Sequence, residues 1–199
     1  EPAGAAIDLG EVSATRGGKS RKWWQFRSRD EPVFTAGPVH LTVRPGAALW
    51  LRGDNGAGKT TLLRAMAGLD GNPGLEQTHG LPVSLALQRA ADQLAESTVG
   101  QFVGDPDVTA SLGFDPETHP LDLPAAHLRL AQLAQVFAQQ RPLVLLDEPD
   151  VGLDSASRDR AHALISAGLH RGQAVIFTCH DESFAEEVGE YSRAGWAAP

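Results

Sequence analysis

The chain of 199 residues has a single cysteine, a single methionine and a single tyrosine, and its only lysines are Lys19, Lys22 and Lys59. A lone Cys179 excludes an internal disulfide framework and a cysteine-built zinc cage, which fits a reducing compartment. No apolar run approaches the roughly 20 residues of a membrane span, and no early basic-then-apolar stretch resembles a signal peptide. The chain is therefore expected to be soluble. Positive charge is also scarce: 17 basic groups stand against 25 acidic ones, for a net charge of -8. That balance argues against a broad nucleic-acid-binding face, so no nucleic-acid partner is expected. Arg16, Lys19, Arg21, Lys22, Arg27 and Arg29 share one acid-free segment, which reads as an exposed hairpin with solvated charge. Internal repeats and low-complexity tracts are missing too, and the length fits one domain around one core.

What is present is a pattern of short buried strands. Residues 5–14 and 39–43 cluster apolar side chains as strands do, and Pro45-Gly46 marks a turn before the buried-strand candidate 47–51. A glycine-rich stretch, 53–58, then leads into helix-forming residues 61–67, which Gly68 terminates. Between residues 126 and 139, Leu130, Ala131, Leu133, Ala134, Phe137 and Ala138 recur at three- and four-residue spacing, the signature of one helical face. The continuous apolar runs 143–146 and 174–177 predict central strands of a parallel sheet, with a helix over 155–169 between them. Stretches 70–82 and 104–124, rich in Gly, Pro and Asp, read as loops or short irregular pieces.

Gly53-Asp54-Asn55-Gly56-Ala57-Gly58-Lys59-Thr60 matches G-x-x-x-x-G-K-[ST], and it lies between a predicted strand and a predicted helix, the context such a match requires. Glycines let successive backbone N–H groups turn inward around a phosphate, and the helix N-terminus adds partial positive charge. Lys59 then reaches the terminal phosphates, and Thr60 offers its hydroxyl to Mg2+. At the end of the strand 143–146, Asp147 is placed to hold the same Mg2+ through its water shell. The adjacent Glu148 can accept hydrogen bonds from an attacking water and orient it.

The order of Gly53 to Thr61, Gln88, Asp147-Glu148-Pro149, Gly152-Leu153-Asp154 and Thr178-Cys179-His180 resembles the nucleotide-binding domain of ABC (ATP-binding cassette) ATPases over most of the chain. The resemblance implies an α/β P-loop NTPase fold: a mostly parallel sheet core, an N-terminal antiparallel β-subdomain and a short helical subdomain. It implies a single cassette over 1–199. Residues 5–52 would be mainly the β-subdomain and first core strand, 53–87 the P-loop and core, 88–140 the Q-loop and reduced helical subdomain, and 141–199 the core with Walker B, D-loop and H-loop. ATP would be bound by Asn55, Gly56, Ala57, Gly58, Lys59, Thr60 and Thr61, and Mg2+ by Thr60, Asp147 and Gln88. Catalysis would fall to Glu148, His180, Lys59 and Gln88, with His180 touching the γ-phosphate and Gln88 coupling to a membrane subunit. Gly152-Leu153-Asp154 would meet the partner domain. The run Gln88-Arg89-Ala90-Ala91-Asp92-Gln93-Leu94 looks like that of energy-coupling-factor ATPases, which power vitamin, cobalt or nickel uptake, and so points to an importer.

The chain departs from the family pattern in three places. The LSGGQ-like signature, which serves the ATP of the partner domain, falls at Leu123-Pro124-Ala125-Ala126-His127, where the serine and both glycines are missing. Proline removes a backbone donor and the alanines restrict close approach to a phosphate. The resemblance therefore implies a partner cassette with an intact signature, as a heterodimer or tandem fusion in preference to a homodimer. Second, the aromatic residue that usually stacks on adenine aligns with Arg16; Trp23 or Trp24 are the substitutes. Third, only a short stretch separates Gln88 from Leu123, so the helical subdomain is small. The expected function is MgATP-driven transport at the inner face of the cell membrane with a membrane subunit. The rivals are a soluble non-transport ABC ATPase and a regulatory cassette with little turnover.

Overall fold

The computed structural model of the chain describes residues 5–16, 34–72, 74, 78–192 and 195–198. Two sheets organise it. β1 (Ile7–Arg16) and β2 (Phe34–Val43) form an antiparallel ribbon. Leu9, Val12 and Ala14 from one strand and Ala36, Val39, Leu41 and Val43 from the other are buried, while the residues between them face outward. The pairing register shifts between Val12 and Ala14. Opposite that shift sits Gly37 at φ 84°, where an added Cβ would lie 2.6 Å from the Val12 carbonyl oxygen, so only glycine fits.

The second sheet has five parallel strands in the order β4 (Val83–Ala86), β5 (Leu143–Leu146), β6 (Ala174–Phe177), β3 (Ala48–Leu51), β7 (Gly195–Ala197). Its central strands are apolar throughout because both faces are covered. Leu143 and Leu145 pack with Ala174 and Ile176 against α1 (Lys59–Met66) and the β1–β2 ribbon. Val144 and Leu146, pointing the other way, pack with Val175 and Phe177 against α4 (Ala125–Ala138), α5 (Ser155–His170) and α6 (Glu182–Tyr191). The two-residue period of a strand thus divides one apolar run between two cores. Where α4 meets α5, Gly168 admits the ring of Phe137: a Cβ at that position would come within 2.4 Å of it.

The expected strands 47–51, 143–146 and 174–177 and the helices near 61–67, 126–139 and 155–169 are all found, with ends moved by one or two residues. Stretch 104–124 is not a plain loop. It holds α3 (Pro106–Ser111) and a 3₁₀ turn at Pro120–Asp122, and α2 (Val99–Val103) precedes it. Asp105 accepts hydrogen bonds from the N–H groups of Asp107 and Val108 at 3.0 Å, with Pro106 in the first helical position, so the Asp-Pro pair is a helix start and not only a turn signal. β2 begins five residues before the expected 39–43. The proposed hairpin after Arg16, with Trp23 and Trp24, lies outside the described residues.

Candidate nucleotide site

The carboxyl ends of the parallel strands converge on one edge of the sheet, where ligands of open α/β sheets gather. From β3 the chain runs into the glycine loop; from β4 it reaches Gln88, from β5 Asp147 and Glu148, and from β6 Thr178 and His180. The loop turns at Gly56 (φ 86°) and Gly58 (φ 92°), and α1 begins at the next residue with no side-chain cap. Gly58 has a steric reason as well as a conformational one. A Cβ there would lie 2.3 Å from the Cβ of Ala36 and 3.1 Å from the Phe34 ring. Ala57 donates its N–H to the Asp54 carbonyl at 3.1 Å, which closes the loop, and the Lys59 ammonium lies across it, donating to Gly53 O at 2.5 Å and Asp54 O at 3.0 Å.

Asp147 is 1% exposed and its Oδ1 accepts from two hydroxyls, Thr60 at 3.0 Å and Thr178 at 2.9 Å. The Thr178 oxygen in turn accepts the Glu148 N–H at 2.9 Å. Glu148 has φ 50°, a left-handed conformation that costs a side-chain-bearing residue about 1–2 kcal/mol, so its neighbours must hold it there. Its carboxylate is held on both oxygens: Gln88 Nε2 donates to Oε2 at 2.5 Å, and His180 Nε2 meets Oε1 at 2.6 Å. Gln88 is therefore placed on Glu148, with no contact to the Thr60–Asp147 pair with which the family pattern groups it.

A cavity of about 370 Å³ opens in front of these groups. Asn55, Gly56, Gly58, Lys59, Thr60, Thr61, Glu148 and His180 line it, together with Arg16 and Phe34 of the β1–β2 ribbon. Of the residues expected at the site, Ala57, Asp147 and Gln88 stand behind the lining: Ala57 in the loop turn, the other two bonded to residues that reach the cavity. Phe34 was not anticipated. It is paired with Arg16 across the β1–β2 ribbon and is 42% exposed, so an aromatic side chain and a guanidinium border the cavity together.

The donor set near Asp147 suits Mg2+. A threonine hydroxyl and a carboxylate are hard oxygen ligands, and this cation keeps few protein ligands and takes the remainder from water and phosphate. Among the described residues no cluster of three His, Cys, Asp or Glu could hold a metal without such help. The single cysteine belongs to another network. Burial pushes the Cys179 thiol up, and its Sγ donates to the Asp181 carbonyl at 2.9 Å, which leaves it an unreactive packing group.

Behind the site lies a second unanticipated residue, Arg129 of α4. It is only 3% exposed, and burial pushes its guanidinium down to about 10 against the opposing pull of Asp147, Asp150 and Glu148. A lone arginine on an apolar helix gives no sequence signal that distinguishes it from surface charge.

A glycine loop capping a helix, a hydroxyl-bound aspartate and a gripped glutamate on adjacent parallel strands define a P-loop ATPase. The comparisons give the particular family. The ABC transporter family matches residues 36–94. The cytochrome c biogenesis ATP-binding export protein CcmA of Hyphomonas neptunium is 34% identical over 168 residues, covering 77% of this chain and 85% of that protein. The chain belongs to the ABC transporter ATP-binding family. Solved cassettes share the fold. One, a dimeric ATP-binding cassette in a post-hydrolysis state with ADP and phosphate, superposes with a TM-score of 0.69 at 16% identity over 92% of this chain and 91% of that one. Another, described as a cobalt transport ATP-binding protein, gives 0.66 at 24% identity over 94% of this chain and 74% of that one. The chain is thus an ATP-binding ABC ATPase, and cassettes of this family dimerise and serve membrane transport. Among the described residues, no helix is long and apolar enough to cross a membrane.

Proposed function

We propose that the chain is a single cassette over residues 1–199 that binds MgATP at the inner face of a membrane and drives a membrane transport subunit through closure and hydrolysis. The observation that carries this reading is the double grip of Gln88 and His180 on the Glu148 carboxylate at the mouth of the phosphate loop. Backbone N–H groups of residues 55–61 other than Ala57 receive the phosphates, and Lys59 swings from the carbonyls of Gly53 and Asp54 to the terminal phosphate, exchanging neutral acceptors for charged ones. Thr60 and Asp147 would hold Mg2+, which would supply charge neutralisation at the phosphate oxygens. Glu148 accepts a hydrogen bond from the attacking water, and His180 fixes that carboxylate and faces the γ-phosphate. Most of the rate comes from positioning and charge. Glu148→Gln keeps the shape and removes the charge: turnover should fall about 100- to 1000-fold with MgATP affinity retained, and wild-type turnover would reject the assignment.

The partner is a second cassette with an intact signature, as heterodimer or tandem fusion. Support comes from α4, whose first residues follow Pro124 with no side-chain cap, so the segment 123–127 brings neither hydroxyl nor glycine to a neighbouring nucleotide. Mixing the chain with a signature-intact cassette should raise turnover well above that of the chain alone.

For direction, the run from Gln88 to Leu94 supports an importer of the energy-coupling-factor type. The 34% identity to an export protein supports the opposite direction and extends over 168 residues, not seven. Gln93, moreover, has a structural task whatever the direction: it accepts from Leu87 N and donates to Leu85 O, both at 2.8 Å. Export has the broader support. In cells carrying Glu148→Gln, loss of cobalt or nickel uptake would favour import, and loss of cytochrome c with uptake intact would favour export.

A further inference from the structure

The Arg129 guanidinium carries five N–H donors in a rigid fork, and four of them are spent. Nη2 donates to Asp147 O at 2.7 Å and Glu148 O at 2.6 Å. Nη1 donates to Leu87 O at 2.5 Å and to Oε1 of Gln132. Three of the four acceptors are backbone carbonyls. They belong to the two segments that deliver the gripping amide and the gripped carboxylate, since Leu87 precedes Gln88 and Glu148 is itself an acceptor. Gln132, fully buried one turn along α4, repeats the pattern: its Nε2 donates to Leu87 O at 3.0 Å and to Oε1 of Gln93.

A buried cation spread over carbonyls is a costly device, and the desolvation is incompletely offset here: Nε of Arg129 has no hydrogen-bond partner. An apolar residue would fill the space at lower cost. What it could not do is fix two separate segments relative to each other while holding Glu148 in its left-handed conformation. Thr178 anchors the Glu148 N–H, and Arg129 anchors its carbonyl, so the peptide units on both sides of the strained residue are held.

The geometry points to Arg129 as a positioning residue for hydrolysis, one that sets the spacing between Gln88 and Glu148 from behind and ties it to α4. This rests on the reading of Glu148 as the water-orienting group. It follows that any displacement of α4 is felt at the chain's own catalytic carboxylate through one side chain.

The test compares Arg129→Lys, Gln88→Ala, the double variant and Glu148→Gln in the assembly that supports wild-type turnover, reading kcat, MgATP affinity and melting temperature. Lysine keeps the charge, but its single ammonium cannot span both segments. A misplacement of the order of 1 Å at a catalytic group can cost about 100-fold, so Arg129→Lys should lower kcat by about 30-fold and leave the Kd for MgATP within about threefold. Adding Gln88→Ala to Arg129→Lys should cost at most about twofold more, because both losses act through the placing of Glu148. A merely structural arginine would lower the melting temperature, leave kcat per folded molecule intact and show multiplicative losses in the double variant; those results overturn the inference. Wild-type turnover in Glu148→Gln would instead overturn the reading beneath it. Should Arg129→Lys fail to fold, Gln132→Leu, which leaves the arginine in place but removes one of its acceptors and one donor to Leu87 O, should lower kcat by about threefold at unchanged Kd. Unchanged kcat in that variant also overturns the inference.

Discussion

Two helix starts in this molecule look alike and are equipped differently. α1 begins after Gly58 and α4 after Pro124, and neither has a side-chain cap. Helices α2, α3, α5 and α6 are capped, in that order by Thr98, Asp105, Asp154 and Asp181. Caps satisfy orphan N–H groups, and a carboxylate cap also neutralises the positive end of the helix dipole. A helix that must offer those N–H groups to a phosphate cannot keep a carboxylate there. α1 adds Lys59, Thr60 and a glycine that clears the approach, whereas α4 adds only Pro124 and two alanines. The two ends share the lack of a cap but differ in backbone, left-handed at Gly58 (φ 92°) and extended at Pro124 (φ -52°), and in chemistry, and that contrast separates an end equipped to receive a phosphate from one that is not.

The contrast is broken most directly at α1. Lys59→Ala should weaken MgATP binding by about 100-fold, the loss of a charge-assisted contact of roughly 3 kcal/mol, and wild-type affinity by calorimetry would remove the cradle's claim to the phosphates. Phe34→Ala tests the aromatic border of the same cavity. Loss of a base-stacking face of about 1 kcal/mol should weaken ATP about fivefold and leave tripolyphosphate binding unchanged; equal loss for both ligands would assign Phe34 to loop support instead. At α4, Pro124→Ser supplies the missing hydroxyl cap and should raise the melting temperature by about 2 °C, the equivalent of roughly 0.5–1 kcal/mol.

The smallest effect belongs to a capped helix. Asp181 is held at about 2 by hydrogen bonds from Arg158 and Ser183, below the ordinary carboxylate range. A depressed folded-state value means a stabilising contribution that is complete above the ordinary value of 3.8 and is lost as pH falls through about 2. Because the Arg158–Asp181 pair is partly exposed and screened by solvent, Asp181→Asn should lower the melting temperature by only about 1–2 °C near neutrality. The difference from wild type should close by about pH 2, and one that persists there would assign the effect to capping geometry, not charge.

The phosphate loop and the Asp147-Glu148 pair were legible in the sequence because each is contiguous and its spacing is set by the ligand. The central strands were legible because a run of four apolar residues bounded by turns has few other readings. Phe34 was hidden because it meets Arg16 only through the antiparallel register of β1 and β2, across a long intervening stretch. Arg129 was hidden because helical periodicity marks its apolar neighbours, and nothing local shows that a charged side chain turns inward to find carbonyls from two other segments. α3 was missed for the opposite reason: its Asp-Pro start is a strong local signal with two meanings, and the buried Thr109 and capping Asp105 choose between them only in the folded chain.

The notch at Gly168 has a mechanical consequence. With the Phe137 ring seated against the backbone of α5, sliding α4 along that helix would require lifting the ring clear. α5 starts directly after Asp154. The 123–127 stretch leads into α4 and the Gly152-Leu153-Asp154 turn leads into α5, so these two segments open a pair of helices keyed to each other at Gly168.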